Sequence, residues 1–317
     1  MKRRLGNAAR SLFPVGLGCM GFSWGYRDHS VGESSAIEVI RRALDLGVDH
    51  FDTADVYGPF TNEMLVGRAL AGRRGDVIIA TKAGLVVEDK ATYRFGRDGS
   101  PEHIREACDA SLRRLGIDTI DIYYLHRIDP KVPVEQTWEA MAGLVAAGKV
   151  RYLGISEPSV ADLERISRIH PVTAVQSELS LWTRDYLADV VPWCGVHGAS
   201  FVAFAPLGRG FLTGAISSDR RFESDDFRST LPRFREKEVA ENQRIVEAVR
   251  SVAARRGVSP AQIALAWLLA QGKHVLAIPG TQRRKYLEEN VAAAAIGLSA
   301  EELAELDAIP APVGGRY

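Results

Sequence analysis

The chain has 317 residues, of which 46% are hydrophobic and 25% are charged, and its formal net charge is zero. This composition is typical of a folded globular protein. Because 40 basic and 40 acidic side chains cancel, no overall field favours nucleic acid or an anionic membrane. Three separated cysteines without a CxxC pair argue against a disulfide framework. We therefore expect a cytoplasmic protein with no membrane span, no nucleic-acid partner and no metal site; the oligomeric state cannot be read from these features.

Short apolar runs alternate along the chain with segments of helical spacing. The apolar runs predict eight strands at about residues 14–18, 48–52, 77–82, 120–126, 152–156, 174–178, 201–204 and 275–278. The helical patterns lie at about 33–46, 61–70, 100–116, 134–147, 160–169, 187–197, 238–256, 259–270, from 282 to 295, and from 299 onward. The first strand is rich in glycine, which allows the close approach of a ligand at its end.

Strands that are apolar at every position are buried on both faces, as in parallel sheets. Eight such strands alternating with helices predict an α/β fold, a (β/α)₈ TIM barrel in a single domain over residues 1–317. A doubly wound sheet would also alternate, but no GxGxxG motif opens a helix near residue 20. After the seventh strand, residues 209–235 form a long polar insertion. We interpret it either as a lid over the barrel or as a solvated loop.

Three of the predicted strands end in side chains that can transfer protons. Asp52, Lys82 and His126 follow the second, third and fourth strands, and Tyr57 lies five residues after Asp52. Side chains at the carboxyl ends of barrel strands line the active site. Any one of these residues could instead cap the barrel mouth. Together they predict a general acid: the Lys82 cation would lower the pKa of the Tyr57 phenol, Asp52 would pair with Lys82, and His126 would orient a carbonyl oxygen.

With these residues identified, the chain resembles the aldo-keto reductases from about residue 12 to residue 306. The resemblance rests on GLGCMG (16–21), FDTADVYG (51–58), LGIDTIDIYYLHR (115–127), GKVRYLGIS (148–156) and IPGTQRRKYLEEN (278–290). The forms SLWTRD, PLGRGFLTG and DDFR are most similar to the branch that includes perakine reductase and the auxin-induced proteins.

The resemblance implies NADPH-dependent reduction of a small aldehyde or ketone by hydride transfer, with Tyr57 as proton donor. NADPH would bind extended across the barrel mouth, with Ser156 and Gln176 on its carboxamide and Phe204 stacked on the nicotinamide. The full set of implied cofactor residues is Cys19, Met20, Gly21, Ser156, Gln176, Phe204, Ala205, Pro206, Leu207, Gly208, Arg209, Gly210, Gly280, Thr281, Gln282, Tyr286, Glu289 and Asn290.

Two departures from the family pattern concern the cofactor. Glu157 stands where many relatives have Asn, and Gly280 and Tyr286 stand where some have cations for the 2′-phosphate. The run of cations at 283–285 could replace those contacts, or could be a solvated helix start.

The four proton-transferring side chains favour carbonyl reduction over two other functions. One is an NADPH-binding sensor with little turnover, and the other is an aldolase that uses Lys82 as a Schiff base. The aromatic residues Trp24, Tyr26, Tyr93 and Trp182, with Arg127, either form the substrate pocket or pack their own loops.

Overall fold

The computed structural model describes residues 2–25, 31–90, 94–224 and 226–317. Its strands are β1 (Arg3–Arg4), β2 (Ser11–Leu12), β3 (Leu17–Gly18), β4 (His50–Asp52), β5 (Ile78–Ala83), β6 (Leu85–Asp89), β7 (Arg94–Arg97), β8 (Ile120–Leu125), β9 (Val150–Ser156), β10 (Ala174–Glu178), β11 (Ser200–Phe204) and β12 (Val275–Ala277). Its α-helices are α1 (Glu33–Asp45), α2 (Thr61–Ala69), α3 (Pro101–Leu115), α4 (Val134–Ala146), α5 (Val160–Ile166), α6 (Val190–His197), α7 (Glu236–Arg256), α8 (Pro260–Ala270), α9 (Arg284–Ala292) and α10 (Ala300–Asp307).

Eight strands form one parallel sheet in the order β3-β4-β5-β8-β9-β10-β11-β12. The two ends of this sheet meet, because Val15 pairs with Ala277 and Gly18 pairs with Gly280 through parallel bridges. Helices connect the successive strands, so the predicted α/β barrel is confirmed. The carboxyl ends of the eight strands therefore face the same opening.

The glycines of the first strand have a packing role, and Gly18 also lines the cavity at the barrel mouth. A Cβ on Gly18 would lie 2.7 Å from the carbonyl oxygen of Ile278, and a Cβ on Gly16 would lie 2.2 Å from the His50 ring. Real Cβ atoms do not approach this closely. These glycines let β3 close the sheet against the last strand and against His50.

The interior of the barrel is filled by side chains from β5, β8, β10, β11 and β12 and is closed at one end by β1 and β2. Leu5 and Leu12, from the hairpin of β1 and β2, pack in one buried cluster with Ile78, Ile122 and Leu276 from the barrel. Burial of such side chains stabilises the fold by about 1.5–3 kcal/mol each. The sequence did not reveal this hairpin, because two-residue strands carry no periodicity.

Local capping signals in the sequence define several helix ends. Ser100 caps α3 by accepting the amide of His103, and Gly116 ends that helix with φ 65°. The capping box predicted at Ser259 and Gln262 begins α8. Two predicted helices are shorter than expected: α5 ends at Ile166, and α6 begins at Val190 after a 3₁₀ turn.

A second hairpin, formed by β6 and β7, extends from the end of β5 beside the barrel mouth, with Leu85 opposite Arg97. It was not predicted from the sequence either. The described part of segment 209–235 includes three 3₁₀ turns, at Gly208–Thr213, Phe227–Thr230 and Pro232–Phe234, and it is not wholly polar, because Phe211 and Phe234 are buried. Within the described ranges, no helix has the length and apolar character needed to cross a membrane.

Candidate active site

The structure brings the four predicted catalytic side chains together at the mouth of the barrel. Asp52 ends β4, Lys82 lies near the end of β5 and His126 follows β8, while Tyr57 lies on the loop after β4. All four are buried, with exposures of 8% or less. Tyr57 and His126 contact edge to face, with ring centroids 6.0 Å apart.

Lys82 is the centre of the hydrogen-bond network. Its Nζ donates to Asp52 Oδ1 at 2.5 Å, to the Thr53 carbonyl oxygen at 2.7 Å and to Tyr57 Oη at 3.3 Å. Burial lowers the pKa of Lys82, but Asp52 and Tyr57 raise it by more, so the net pKa lies above its ordinary value. A lysine that holds its proton this firmly is a poor nucleophile, which argues against the Schiff-base alternative.

The sequence predicted a lowered pKa for Tyr57, but in the structure the net pKa is raised above its ordinary value. Burial raises the pKa of the phenol and is the largest cause, Lys82 lowers it, and Asp52 raises it again. The contribution of Lys82 has the expected sign, but desolvation outweighs it because the hydroxyl is buried beside a carboxylate. Tyr57 is therefore protonated at neutral pH.

His126 is a neutral imidazole at neutral pH. Burial lowers its pKa well below the ordinary value, and the nearby cations Lys82 and Arg127 lower it further. Its Nδ1 has no hydrogen-bond partner within the described residues. A neutral ring can donate one N–H to a carbonyl oxygen without carrying a charge into the site.

The resemblance assigns Gln176 and Ser156 to the carboxamide of the nicotinamide. In the structure both residues form hydrogen bonds with neighbouring side chains. Gln176 Nε2 donates to Asp52 Oδ2 at 2.7 Å. Ser156 Oγ accepts from Arg127 Nη1 at 2.9 Å, and the same nitrogen donates to the His126 carbonyl oxygen at 2.6 Å. The amide of Gln176 thus connects the expected cofactor position to Asp52, and the hydroxyl of Ser156 connects it to Arg127.

A buried polar layer under the site was missed from the sequence. Asn62 donates to the Cys19 carbonyl oxygen at 2.9 Å and accepts from Thr53 at 2.6 Å. Glu63 accepts from Thr81 and from Arg114, both at 2.6 Å. The available signal was a pair of polar residues on a helix that packs against the barrel.

A cavity of about 460 Å³ opens above the four predicted catalytic residues. Its walls include Tyr57, His126 and, as expected, Trp24, whose ring lies edge to face against Phe95 at 4.9 Å. Trp182 is not part of it, because that ring is buried and stacks on Phe211 with centroids 4.2 Å apart. Tyr26 and Tyr93 lie outside the described residues.

The sequence missed several other residues of this cavity. They are Val56, Leu85, Phe95, Arg97, Phe227 and Tyr317. Most come from the β6–β7 hairpin or from segment 209–235, whose placement depends on tertiary packing. Phe227 is held there by a hydrogen bond from its amide to the Gly25 carbonyl oxygen at 3.1 Å.

A second cavity of about 620 Å³ adjoins the first, and the two share Ala205, Arg209, Gly280, Thr281 and Gln282. Sixteen of the implied cofactor residues line one or both cavities; they are Met20, Gly21, Ser156, Gln176, Phe204, Ala205, Pro206, Leu207, Arg209, Gly210, Gly280, Thr281, Gln282, Tyr286, Glu289 and Asn290. Cys19 and Gly208 are buried and line neither cavity.

The joined cavities form a cleft that runs from Tyr57 to Asn290 and is lined by residues that the resemblance assigns to both ends of the cofactor. Its central wall has unusual backbone, because Ala205 and Arg209 adopt φ of 47° and 56°. Such strain concentrates at ligand sites. The residues present therefore fit the cofactor that the resemblance implies. Within the described ranges, no group of three or more His, Cys, Asp or Glu side chains could hold a metal ion.

Glu157 stands where many relatives have asparagine, and its backbone adopts the left-handed φ of 58° that asparagine favours. The contacts of its side chain account for a glutamate at this position. Its carboxylate accepts from Arg316 and from the amide of Glu178. Arg316 also lies over the ring of Phe204, 5.9 Å from its centroid. Glu157 thus holds Arg316, from the end of the chain, beside Phe204 at the expected nicotinamide position.

The cations at 283–285 are not equivalent. Arg283 lines the larger cavity, whereas Arg284 and Lys285 do not. Arg284 pairs with Glu288 at 2.9 Å, and Lys285 pairs with Glu289 at 4.0 Å. Exposed pairs of this kind are typical of a solvated helix face, which favours the simpler interpretation for these two residues.

Comparison with known proteins identifies the family. The sequence model of the aldo/keto reductase family matches residues 14–311. The chain belongs to this family. The enzyme class and the NADP(H) cofactor expected from the sequence are thereby confirmed at the level of the family, which acts on small carbonyl compounds.

Solved structures agree with this assignment. The glycerol dehydrogenase of Gluconobacter oxydans is 31% identical with a TM-score of 0.87, over 100% of this chain and 98% of that one. An aldo-keto reductase from Bacillus halodurans, solved in its holo form, is 27% identical with a TM-score of 0.78, over 100% and 97%. An aldo-keto reductase from Klebsiella pneumoniae, solved with NADPH, is 28% identical with a TM-score of 0.76, over 98% and 96%.

Proposed function

We propose that this protein reduces an aldehyde or ketone to the alcohol with NADPH, and that Tyr57 donates the proton. The observation that carries the proposal is the chain of contacts from Asp52 through Lys82 to Tyr57, at 2.5 and 3.3 Å, on the wall of the cavity. A phenol whose pKa is raised by burial keeps its proton until an oxygen gaining negative charge lies beside it.

The roles of the side chains follow from their charges. Tyr57 and the neutral His126 both donate to the carbonyl oxygen, which polarises the bond and fixes its direction. As the proton leaves Tyr57, the Lys82 cation stabilises the negative charge that grows on the phenol oxygen. Asp52, held by Lys82 and Gln176, keeps that cation in place.

NADPH, when bound, supplies a hydride to the carbonyl carbon. We assign its nicotinamide end to Ser156, Gln176 and Phe204, and its adenosine end to the wall that contains Tyr286 and Asn290. The continuous cleft over these residues supports the assignment. The NADPH in the Klebsiella relative supports the choice of cofactor.

The finer architectural expectations also belong to this proposal. We assign the whole chain to one domain, to the branch of the family that resembles perakine reductase and the auxin-induced proteins, and segment 209–235 to a lid over the cofactor. Support for the lid is that Arg209, Gly210 and Phe227 contribute to the cavity walls. No observation favours the sensor alternative.

The test is a panel of aldehydes and ketones, with oxidation of NADPH and NADH followed at 340 nm. We expect turnover of several aldehydes with NADPH and its loss in Tyr57→Phe. If no carbonyl compound is reduced although NADPH binds, the sensor alternative is supported and the proposed function is wrong.

A further inference from the structure

Two arginines line the catalytic cavity without a carboxylate partner. Arg97 ends β7 and its Nη1 donates to the carbonyl oxygen of Ile128 at 2.9 Å. Arg127 follows His126, and its hydrogen bonds go to a carbonyl and to the hydroxyl of Ser156. Both side chains line the cavity that contains Tyr57. Among the residues that the structure describes, no carboxylate lies within 4.0 Å of either guanidinium.

The acidic residues nearest in sequence are engaged elsewhere. Asp98 accepts the amide of Ser100 at 2.9 Å, and Asp129 accepts the amides of Gly99 and Lys131 at 3.1 and 2.9 Å. These carboxylates order the loops beside the arginines and use their lone pairs on backbone amides. They are therefore not placed to neutralise the guanidinium groups.

The other charges around the cavity cancel in pairs. Asp52 is matched by Lys82, and Glu178 accepts from Arg209 at 2.9 Å and pairs with Arg316 at 3.1 Å. Glu157, the second partner of Arg316, completes that group with two acids and two cations. Since Tyr57 and His126 are neutral, the end of the cavity near the catalytic residues carries an excess of positive charge from Arg97 and Arg127.

This positive charge lies beside an apolar wall. Trp24, Phe95 and Leu85 pack together with Val56 and Tyr57 at the same end of the cavity. Water is displaced from such a wall when a substrate binds, which strengthens any interaction with a charge there. A guanidinium group binds a carboxylate through two parallel N–H donors, so two arginines favour an anion with a defined orientation.

We propose that the physiological carbonyl substrate bears a carboxylate on an apolar or aromatic body. Arg97 and Arg127 bind the carboxylate, the aromatic wall covers the body, and the carbonyl oxygen reaches Tyr57 and His126. The inference rests on the proposed carbonyl reduction and names its substrate class. It makes the two arginines specificity-determining residues rather than proton donors.

The experiment compares matched substrates that differ in charge. The pairs are the 2-, 3- and 4-formylbenzoates and their methyl esters, each assayed for kcat/KM with NADPH. We expect at least one carboxylate to exceed its ester by about tenfold or more, as hydrogen bonds to a charged group predict. Added salt should reduce this preference, because screening weakens the attraction to the anion without affecting the ester.

Variants separate the anion subsite from a general structural effect. Arg97→Gln and Arg127→Gln should each lower the carboxylate-to-ester ratio about tenfold. Arg94→Gln, on the same hairpin but paired with Glu88 outside the cavity, is the matched control and should leave the ratio unchanged. Benzoate should compete with the neutral ester in the parent protein, and less well in the Arg97 variant.

Each other outcome has a distinct meaning. If esters are reduced at least as well as carboxylates, and salt has no selective effect, the anion subsite is wrong while the carbonyl reductase stands. If glyceraldehyde 3-phosphate is strongly preferred over all the carboxylates, the anion is a phosphate and the carboxylate assignment is overturned. If no aldehyde is reduced, the proposed function fails and this inference fails with it.

Discussion

The side-chain amide of Gln176 donates a hydrogen bond to Asp52 Oδ2 at 2.7 Å, while Lys82 donates to Oδ1 at 2.5 Å. Asp52 is therefore held from two sides by residues of β10 and β5. The resemblance assigned Gln176 only to the cofactor. In the structure, the same side chain also fixes the carboxylate that orients Lys82.

Gln176→Met keeps the length of the side chain but removes its donor. One oxygen of buried Asp52 then lacks a partner, which costs about 1–3 kcal/mol. We expect kcat/KM to fall by roughly tenfold and the affinity for NADPH to fall as well. Gln136→Met, at an exposed site on α4, is the matched control. Unchanged kinetics in the Gln176 variant would mean that this hydrogen bond does not position Asp52.

Tyr57→Phe removes only the hydroxyl group that the proposal makes the proton donor. General acid catalysis contributes about 10²- to 10⁴-fold, so kcat should fall by that range. The dissociation constant for NADPH, measured by tryptophan fluorescence, should change little because the ring remains. A variant that retained most of its kcat would rule out Tyr57 as the acid.

Lys82→Met removes the cation that lowers the pKa of Tyr57, so that pKa should rise further above its ordinary value. Asp52 also loses its ion-pair partner in a buried site, which adds to the damage. We expect kcat/KM for reduction to fall nearly as far as in Tyr57→Phe. Higher pH should not restore it, because the donor must be protonated.

The oxidative direction provides the control for Lys82→Met. Alcohol oxidation needs the phenolate, and the pKa of Tyr57 lies above its ordinary value in the parent protein and higher still in the variant. Oxidative kcat/KM should therefore rise with pH in both proteins and be lower in the variant at every pH, whereas reductive kcat/KM of the variant should not rise with pH. Measuring kcat/KM in both directions from pH 6 to 10 checks this. Equal oxidative kcat/KM for the parent protein and the variant at the same pH would show that Lys82 does not tune Tyr57.

Cofactor preference should depend on Arg283 more than on its neighbours. Arg283 lines the cofactor cleft, whereas Lys285 is exposed and pairs with Glu289. We expect NADPH to bind more tightly than NADH, and Arg283→Ala to narrow that preference about tenfold by removing a charge-assisted contact with the phosphate. Lys285→Ala is the matched control. Equal affinities of the parent protein for both cofactors would exclude this run from the 2′-phosphate site.

The sequence was sufficient to predict the barrel and the meeting of Asp52, Lys82 and His126, because parallel strands bring their carboxyl ends to one opening. It was insufficient where tertiary packing decides. The sign of the Tyr57 pKa shift depends on how deeply the hydroxyl is buried, and the neighbours of Trp182 depend on the fold of a distant segment. Arg97 and Tyr317 reach the cavity from a hairpin and from the last residues of the chain, neither of which has a periodic pattern.

Asp55 gives a prediction about stability rather than activity. Burial is the main cause that raises the pKa of its carboxyl to about 8, and Glu63 raises it further. In the unfolded chain the group has its ordinary pKa near 4, so unfolding releases a proton and the folded protein loses stability as pH rises from about 4 to about 8. Asp55→Asn cannot ionise, and its amide oxygen can still accept the Val56 amide that Asp55 accepts at 2.7 Å. The stability of the variant relative to the parent protein should therefore increase across this window, by at least about 1 kcal/mol at pH 8, and remain constant above it.

Urea unfolding at pH 4.5, 6 and 8 measures the difference, with exposed Asp45→Asn as the control for the loss of one negative charge. A difference between variant and parent that does not change with pH would mean that Asp55 is ionised in the folded protein.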